Sequence, residues 1–330
     1  MTEKNTHAHL LEVEGLSVEY WTRKTKVRAV DDVSFTLDKA ETLGVVGESG
    51  SGKSTLGLSL IRLVPFPGRI VKGNILLEGQ SVLTLKNEQL RDLRGRSISY
   101  VFQDPMTSLN PVKKIGAHFT ELIQTHEPKT SEKEAFKHAE KLLQDVRIQP
   151  DRINDYPHQL SGGMRQRVMI ALAITLNPKI VIADEPTTAL DVIVQAKILD
   201  ILNVLRDKYG MGLILISHDL SIVLERSDKI LVMYAGQMVE YAHSTDIYTN
   251  PQHPYTKGLL KSIPNIELEE QKLQAIAGSP PDLLNLPEGC RFWPRCEHAM
   301  ERCKTEEPIL MKTGADHFVR CFLYKGEKRN

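Results

Sequence analysis

"GESGSGKST", Gly47 to Thr55, is the stretch whose reading decides the fold of this chain. A buried strand, "TLGVV", with its apolar run from Leu43 to Val46, leads into it, and "STLGLSLIRL", with the spacing of a helix, leads out. Gly47, Gly52, Lys53 and Ser54 fit the pattern G-x-x-x-x-G-K-[ST]. Glycines at these places let backbone N–H groups turn inward on phosphate oxygens, and a helix start adds its positive dipole end. Lys53 is then expected to reach the β- and γ-phosphates of a nucleotide, and the Ser54 hydroxyl to ligate Mg²⁺. A glycine-rich turn would need neither the strand before nor the helix after.

Outward from this motif the chain alternates strands and helices. Residues from about Leu11 to Leu43 alternate apolar and polar positions, as in "LLEVEGLSVEY" and "AVDDVSFTL", which predicts an antiparallel β region. "GNILLEG" and "SISYVFQ" read as further short strands. From about Asp104 to Leu160 the character changes: "KIGAHFTELIQTH" and "KEAFKHAEKLLQDV" space their apolar residues for helices, which predicts a helical insertion. "KIVIADE" and "GLILISHD" return to strands, with "AKILDILNVLRDKYG" as the helix between them. That order implies an α/β fold with a parallel sheet and right-handed crossovers.

The 330 residues exceed what one compact domain needs. Apolar residues at 41% and charged residues at 25% are the balance of a globular protein with ample core. Lys+Arg and Asp+Glu both number 42, so nothing in the charge points to nucleic acid as a partner. The start, "MTEKNTHAHLLEVEG", lacks the apolar core of a signal peptide, and the longest apolar run, Val168 to Leu176, is too short to span a bilayer. The expectation is a cytosolic chain, with any membrane spans supplied by other subunits.

Two further stretches carry chemistry. In "KIVIADEP" four apolar residues precede Asp184 and Glu185, which places both carboxylates at the C-terminal edge of a sheet, where open α/β folds bind ligands. Asp184 suits the Mg²⁺ shell and Glu185 suits polarising an attacking water. In "LSGGMRQR" a serine and two glycines open the helix "MRQRVMIALAITL", whose first N–H groups suit an anion. Ser161 would also serve there as a plain N-cap. With one phosphate cradle already present, a second anion-binding helix start suggests a nucleotide held from two sides.

Together, "GESGSGKST", "VFQDP", "LSGGMRQR", "IVIADEPTTALD" and "LISHD" resemble the ATP-binding cassette of ABC transporters in order and spacing, over roughly residues 10 to 245. The resemblance implies a P-loop NTPase with a RecA-like parallel core sheet, an antiparallel β subdomain and a helical subdomain at about 104–167. It implies ATP and Mg²⁺ as ligands and two cassettes facing head-to-tail, each closing its signature serine and glycine on the other's ATP. Gly47, Ser49, Gly50, Gly52, Lys53, Ser54 and Thr55 would then cradle the phosphates. Gln103 would touch Mg²⁺ and the attacking water, Ser161 and Gly163 would reach the partner's γ-phosphate, and Asp191 would lie at the dimer seam. His218 would stabilise charge developing on the γ-phosphate. Tyr20 would stack on adenine, with Trp21 beside it as the alternative. Every catalytic position carries the family's expected residue, which implies an active ATP hydrolase.

After about Tyr241 proline rises: eight of the 17 prolines fall in residues 246–330. "MYAGQMVEYAHSTDIYTNP" and "PQHPYTKGLLKSIP" resemble the C-terminal extension of oligopeptide and dipeptide importers, and "LIRLVPFPGRIVKGNILLEG" resembles the first of the two cassettes usual there. The domain expectation is a cassette over 1–245 and this loop-rich extension over 246–330. The family implies a second, non-identical cassette, two transmembrane permease subunits and an extracytoplasmic substrate-binding protein, and thus a peripheral place on the cytoplasmic face of the cell membrane. Its members also move nickel chelates, glutathione and oligosaccharides.

All four cysteines lie in this extension, as Cys290-x5-Cys296-x6-Cys303-x17-Cys321. In a reducing compartment such clustering favours a metal site over disulfides. The spacing matches neither paired C-x2-C zinc sites nor the usual ferredoxins. It is similar to the set that holds a [4Fe–4S] cluster in some dipeptide-importer cassettes, and four thiolates also suit tetrahedral zinc. A soluble ABC ATPase of translation, repair or cluster assembly is the rival reading. Two cassettes in one chain, or a long coiled coil before the signature, would mark the first two, and this chain shows neither. An assembly ATPase would not be expected to carry this tail.

Overall fold

A computed structural model describes residues 9–22, 25–104, 108–188, 190–263 and 276–328 of the chain. Pro105 of "VFQDP", Ala189 of "IVIADEPTTALD", the end of "LLKSIPN" and the first residues of the chain lie outside them. Two compact units are present, one drawn from Met1–Asp38, Thr42–Thr84 and Leu215–Asn330, the other from Lys39–Glu41 and Leu85–Ile214.

The first unit opens with β1 (Leu11–Trp21), β2 (Lys26–Leu37), β3 (Thr42–Val46), α1 (Lys53–Leu60), β4 (Gly68–Leu77) and β5 (Gln80–Ser81). β1 pairs antiparallel with β2 on one side and β4 on the other, in the order β2-β1-β4-β5. Leu11, Val13, Leu16 and Val18 are its buried face, and bulges between Val13 and Val18 absorb the odd spacing. β4 begins at Gly68 rather than at Gly73, because Gly68 to Lys72 already pair with β1. All five residues of β3 are buried, Thr42 ahead of the apolar Leu43–Val46.

In the second unit follow α2 (Asn87–Arg96), β6 (Ile98–Val101), α3 (Ile115–His126), α4 (Glu132–Asp145), α5 (Gly162–Ile174), β7 (Ile180–Asp184) and α6 (Val192–Tyr209). β6 and β7 run parallel, Ile98 opposite Ile180. α4 starts in a capping box: Ser131 Oγ accepts the Glu134 N–H at 3.3 Å, and Glu134 accepts the Ser131 N–H at 3.0 Å. Ala135, Ala139 and Leu142 form its buried stripe. β8 (Gly212–Ser217) carries the chain back to the first unit.

There α7 (Leu220–Arg226), β9 (Lys229–Tyr234), β10 (Gln237–His243), α8 (Ser244–Thr249), α9 (Pro254–Lys261), α10 (Glu301–Thr305), β11 (Met311–Lys312), β12 (Phe318–Val319) and β13 (Glu327–Lys328) complete the chain. β9 lies parallel to β3, and β10, β12, β11 and β13 extend from it antiparallel. Val46, Val232, Tyr234, Val239, Tyr255 and Phe292 share one core, so the proline-rich tail packs on the strand that leads into the glycine motif.

Polar contacts fix that tail. Arg291 pairs with Asp31 and donates to Ala235 O at 2.6 Å, while Arg320 pairs with Asp32 at 2.9 Å. Glu240, wholly buried, accepts the N–H groups of Gln252 and His253 at 2.7 and 2.9 Å and faces His317 Nε2 at 2.8 Å. Burial pushes the His253 pKa down to about 4, and its neutral Nδ1 accepts the Tyr255 N–H at 3.0 Å to cap α9. Removing one member of a buried ion pair typically costs about 3–5 kcal/mol. Among the described residues no helix is long and apolar enough to cross a membrane.

Candidate active site

The glycine motif forms the loop between β3 and the N-terminus of α1 in the first unit. Gly52 is the N-cap of α1 at φ 101°, and a Cβ there would stand 2.0 Å from Ala29 O. Only glycine meets both demands. Lys53 is buried, with Nζ donating to Gly47 O at 2.7 Å and Glu48 O at 3.0 Å, so the ammonium is drawn back along the loop. Ser49, Gly50 and Ser54 form the exposed rim and Thr55 is half-buried. Ser51 Oγ is buried without a hydrogen-bond partner, an orphan that an anionic guest in the loop would suit. Tyr20 OH lies 3.5 Å from Thr55 Oγ1. The neighbouring Trp21 ring is covered by Lys26 Nζ at 4.2 Å and Arg69 at 5.3 Å. His218 stands exposed just after β8, and Ser217 Oγ accepts the Asp219 N–H at 3.0 Å to shape that turn.

The carboxylates lie in the second unit at the end of β7. Asp184 is buried, and Tyr100 of β6 donates its phenol to Asp184 Oδ2 at 2.7 Å. Burial first, then the Asp184 charge and this hydrogen bond, push the Tyr100 pKa far up, so the phenol stays a donor. Glu185 sits at φ 44°, a left-handed conformation a glutamate adopts only under constraint. Its Oε2 accepts Gln103 Nε2 at 3.0 Å and Thr188 Oγ1 at 2.9 Å. The structure therefore brings Gln103 and Glu185 together directly.

A second cluster of the same unit gathers the helix-start motif. Ser161 is the N-cap of α5, its Oγ accepting the Met164 N–H at 3.3 Å, and Asp191 is the N-cap of α6, accepting the Val194 N–H at 2.9 Å. Ser161, Gly163, Arg167, Asp191 and Lys197 line one open cavity of about 380 Å³. Two helix starts and the cationic Arg167 and Lys197 favour an anion in this hollow, opposed by the Asp191 carboxylate on the same wall.

All four cysteines are free thiols. The Cys290 N–H donates to Cys303 O at 2.8 Å and the Met300 N–H to Cys303 Sγ at 3.4 Å. Burial, then neighbouring cysteines, push Cys290 and Cys321 up to about 11. Among the described residues no three or more His, Cys, Asp or Glu side chains are gathered so as to hold a metal ion, so the expected C-terminal metal-binding domain is not seen as a formed site.

Tyr100 and Thr188 carry no mark in the sequence. Tyr100 is one more aromatic in a strand, and Thr188 reaches Glu185 only because the chain turns sharply after β7. A strand tyrosine neighbouring the acid-bearing strand is the one signal that parallel pairing of β6 and β7 would have offered.

Residues 30–188 match the family described as ABC transporter, and residues 239–303 the one described as oligopeptide/dipeptide transporter, C-terminal region. The chain is 48% identical over 321 residues to the oligopeptide transport ATP-binding protein AppD of Bacillus subtilis (strain 168), covering 96% of this chain and 98% of that protein. It is 47% identical over 303 residues to the oligopeptide transport ATP-binding protein OppD of Salmonella typhimurium, covering 91% and 90%. Among solved structures it is similar to the ATP-binding cassette MJ0796, a dimer in a post-hydrolysis state bound to ADP and Pi, with a TM-score of 0.63 and 26% identity over 71% of this chain and 98% of that one. The chain belongs to the ABC transporter family of ATP-binding proteins.

Proposed function

We infer that this chain is the ATP-binding and ATP-hydrolysing subunit of an ABC importer that takes up peptides through partner permeases. What carries the inference is the presence, in one chain, of the lysine cradle, the Glu185 turn and a tail matching the oligopeptide/dipeptide transporter C-terminal region. Relatives of 46–50% identity bear peptide-transport names over nearly the whole chain. Purification from native cells in mild detergent tests it: two multispanning permeases and a second, non-identical cassette should accompany the chain. A chain that arrives instead with ribosomes, DNA or assembly proteins overturns it. Such a set of partners would place the chain on the cytoplasmic face of the membrane.

In this reading Lys53 and the loop N–H groups bind the phosphates, and Tyr20 stacks on adenine because cations already cover the Trp21 ring. Ser54, Gln103 and Asp184 would be the residues to hold Mg²⁺, which would supply charge neutralisation on the phosphates. Glu185, oriented by Gln103 and Thr188, polarises the attacking water, and His218 steadies the γ-phosphate. Ser161, Gly163 and Asp191 serve the nucleotide of the partner cassette. Residues 1–245 act as the cassette and 246–330 as the extension. Tyr100→Phe removes a donor from Asp184 and should raise the Mg²⁺ concentration for half-maximal hydrolysis about tenfold. An unchanged Mg²⁺ dependence would leave Tyr100 without that role.

The extension holds a [4Fe–4S] cluster in this proposal, with Cys290, Cys296, Cys303 and Cys321 as ligands. Four free thiols are the required donor set. Four thiolates also suit tetrahedral zinc, the alternative occupant of the same donor set. Anaerobic protein should be brown, with iron and acid-labile sulfide and absorption that bleaches with dithionite. Colourless protein holding stoichiometric zinc would exclude the cluster.

A further inference from the structure

Glu48, the second residue of the glycine motif, is gripped from the C-terminal extension at two points. Arg295 holds its carboxylate with both terminal nitrogens, Nη1 to Oε2 at 2.7 Å and Nη2 to Oε1 at 3.0 Å. The Tyr255 hydroxyl accepts its backbone N–H at 2.9 Å. Its third polar group, the carbonyl, accepts Lys53 Nζ at 3.0 Å. One loop residue is therefore tied through its amide and its carboxylate to the tail, and through its carbonyl to the phosphate lysine.

The grip is rigid. The Arg295 side chain is 5% exposed, against 28% for Glu48. Its Nε donates to Ala277 O at 2.9 Å, Nη2 reaches Ile276 O at 3.4 Å, and Nη1 reaches Tyr234 OH at 3.4 Å. The guanidinium lies 5.8 Å from the Tyr234 ring centre and 6.0 Å from that of Phe292. Tyr234, Tyr255 and Phe292 pack on one another with centroids 4.7 to 5.5 Å apart, so both anchors stand on one aromatic base. Two parallel charge-assisted hydrogen bonds fix an orientation that a single contact would not.

A free carboxylate in a loop that must accept a triphosphate would repel it. We propose that Arg295 is a positioning residue for nucleotide binding: it masks the Glu48 charge and, with Tyr255, fixes the first turn of the phosphate loop. This rests on the reading that Gly47–Thr55 binds ATP. The masking predicts an effect that grows with phosphate charge, which general destabilisation of the fold does not.

The test uses the full chain and titrates ATP, ADP and adenosine by displacement of a fluorescent nucleotide, at low and moderate salt. Arg295→Gln should weaken ATP about tenfold and ADP less, leaving adenosine within twofold. The double change Arg295→Gln with Glu48→Gln should recover most of the ATP affinity, since the charge to be masked is gone. Arg295→Lys, which keeps charge but not the fork, should fall between. Equal losses for all three ligands, or a double variant as weak as the single one, overturn the proposal. If Arg295→Gln does not fold, Glu48→Gln alone decides: ATP affinity should rise about threefold relative to adenosine, and a fall overturns the proposal. Failure of the unaltered chain to bind ATP at all would instead sink the reading beneath it.

Discussion

Replacing Glu185 by glutamine is expected to leave ATP binding within about twofold and to lower steady-state hydrolysis by about 10³-fold. Glutamine has the shape of the side chain it replaces, and its carbonyl can still accept both Gln103 Nε2 and Thr188 Oγ1. The backbone at φ 44° is equally strained with either residue. What disappears is the negative charge that, in the proposed role, polarises the attacking water. Phosphate release and nucleotide affinity, measured on the same preparation, separate the two effects. Hydrolysis within threefold of the unaltered chain would move the general base elsewhere.

The second large effect is expected from Ser161→Arg. The hollow at the start of α5, about 380 Å³, is lined by Ser161, Gly163 and Asp191, and an arginine side chain rooted there would project bulk and a fixed charge into the place proposed for the partner's phosphate. ATP-driven pairing with a second cassette should be lost and hydrolysis should fall at least about 100-fold. ATP affinity of the isolated chain should stay within about twofold, because the lysine cradle belongs to other elements. Ser161 is also the N-cap of α5, and loss of a cap costs about 1 kcal/mol. Ser161→Ala isolates that cost, since it removes the cap without adding bulk. Loss of ATP binding by the isolated arginine variant would show that nucleotide is not held from two sides.

Much of this architecture is written locally. The apolar spacing in 115–126, 132–145 and 192–209 and the buried runs of β3, β7 and β8 are set by neighbours a few residues away, and they fold as the pattern predicts. α2 escapes such a reading. It is rich in charge with only Leu90 and Leu93 buried, and it breaks at Arg94 and Gly95. The motif residues are legible because phosphate chemistry demands fixed types at fixed spacings. Their supports are not: Tyr100 meets Asp184, and Arg295 meets Glu48, across 84 and 247 positions of sequence. Such contacts exist only once strands have paired, so no local pattern announces them. The two-residue strands β11, β12 and β13 are equally silent, being held by pairing rather than by propensity.

Arg291 to Asp31, Arg295 to Glu48, Arg320 to Asp32 and His317 to Glu240 together resemble stitches along a seam. For anyone building chimaeras from related transport ATPases, that seam sets the unit of exchange. A tail transplanted from a relative without its matching acids would leave the Arg291, Arg295 and Arg320 side chains buried without their carboxylates, and a protein cut after residue 245 would lose every arginine and histidine of the seam at once. Productive hybrids should be those that move the two halves of each stitch together.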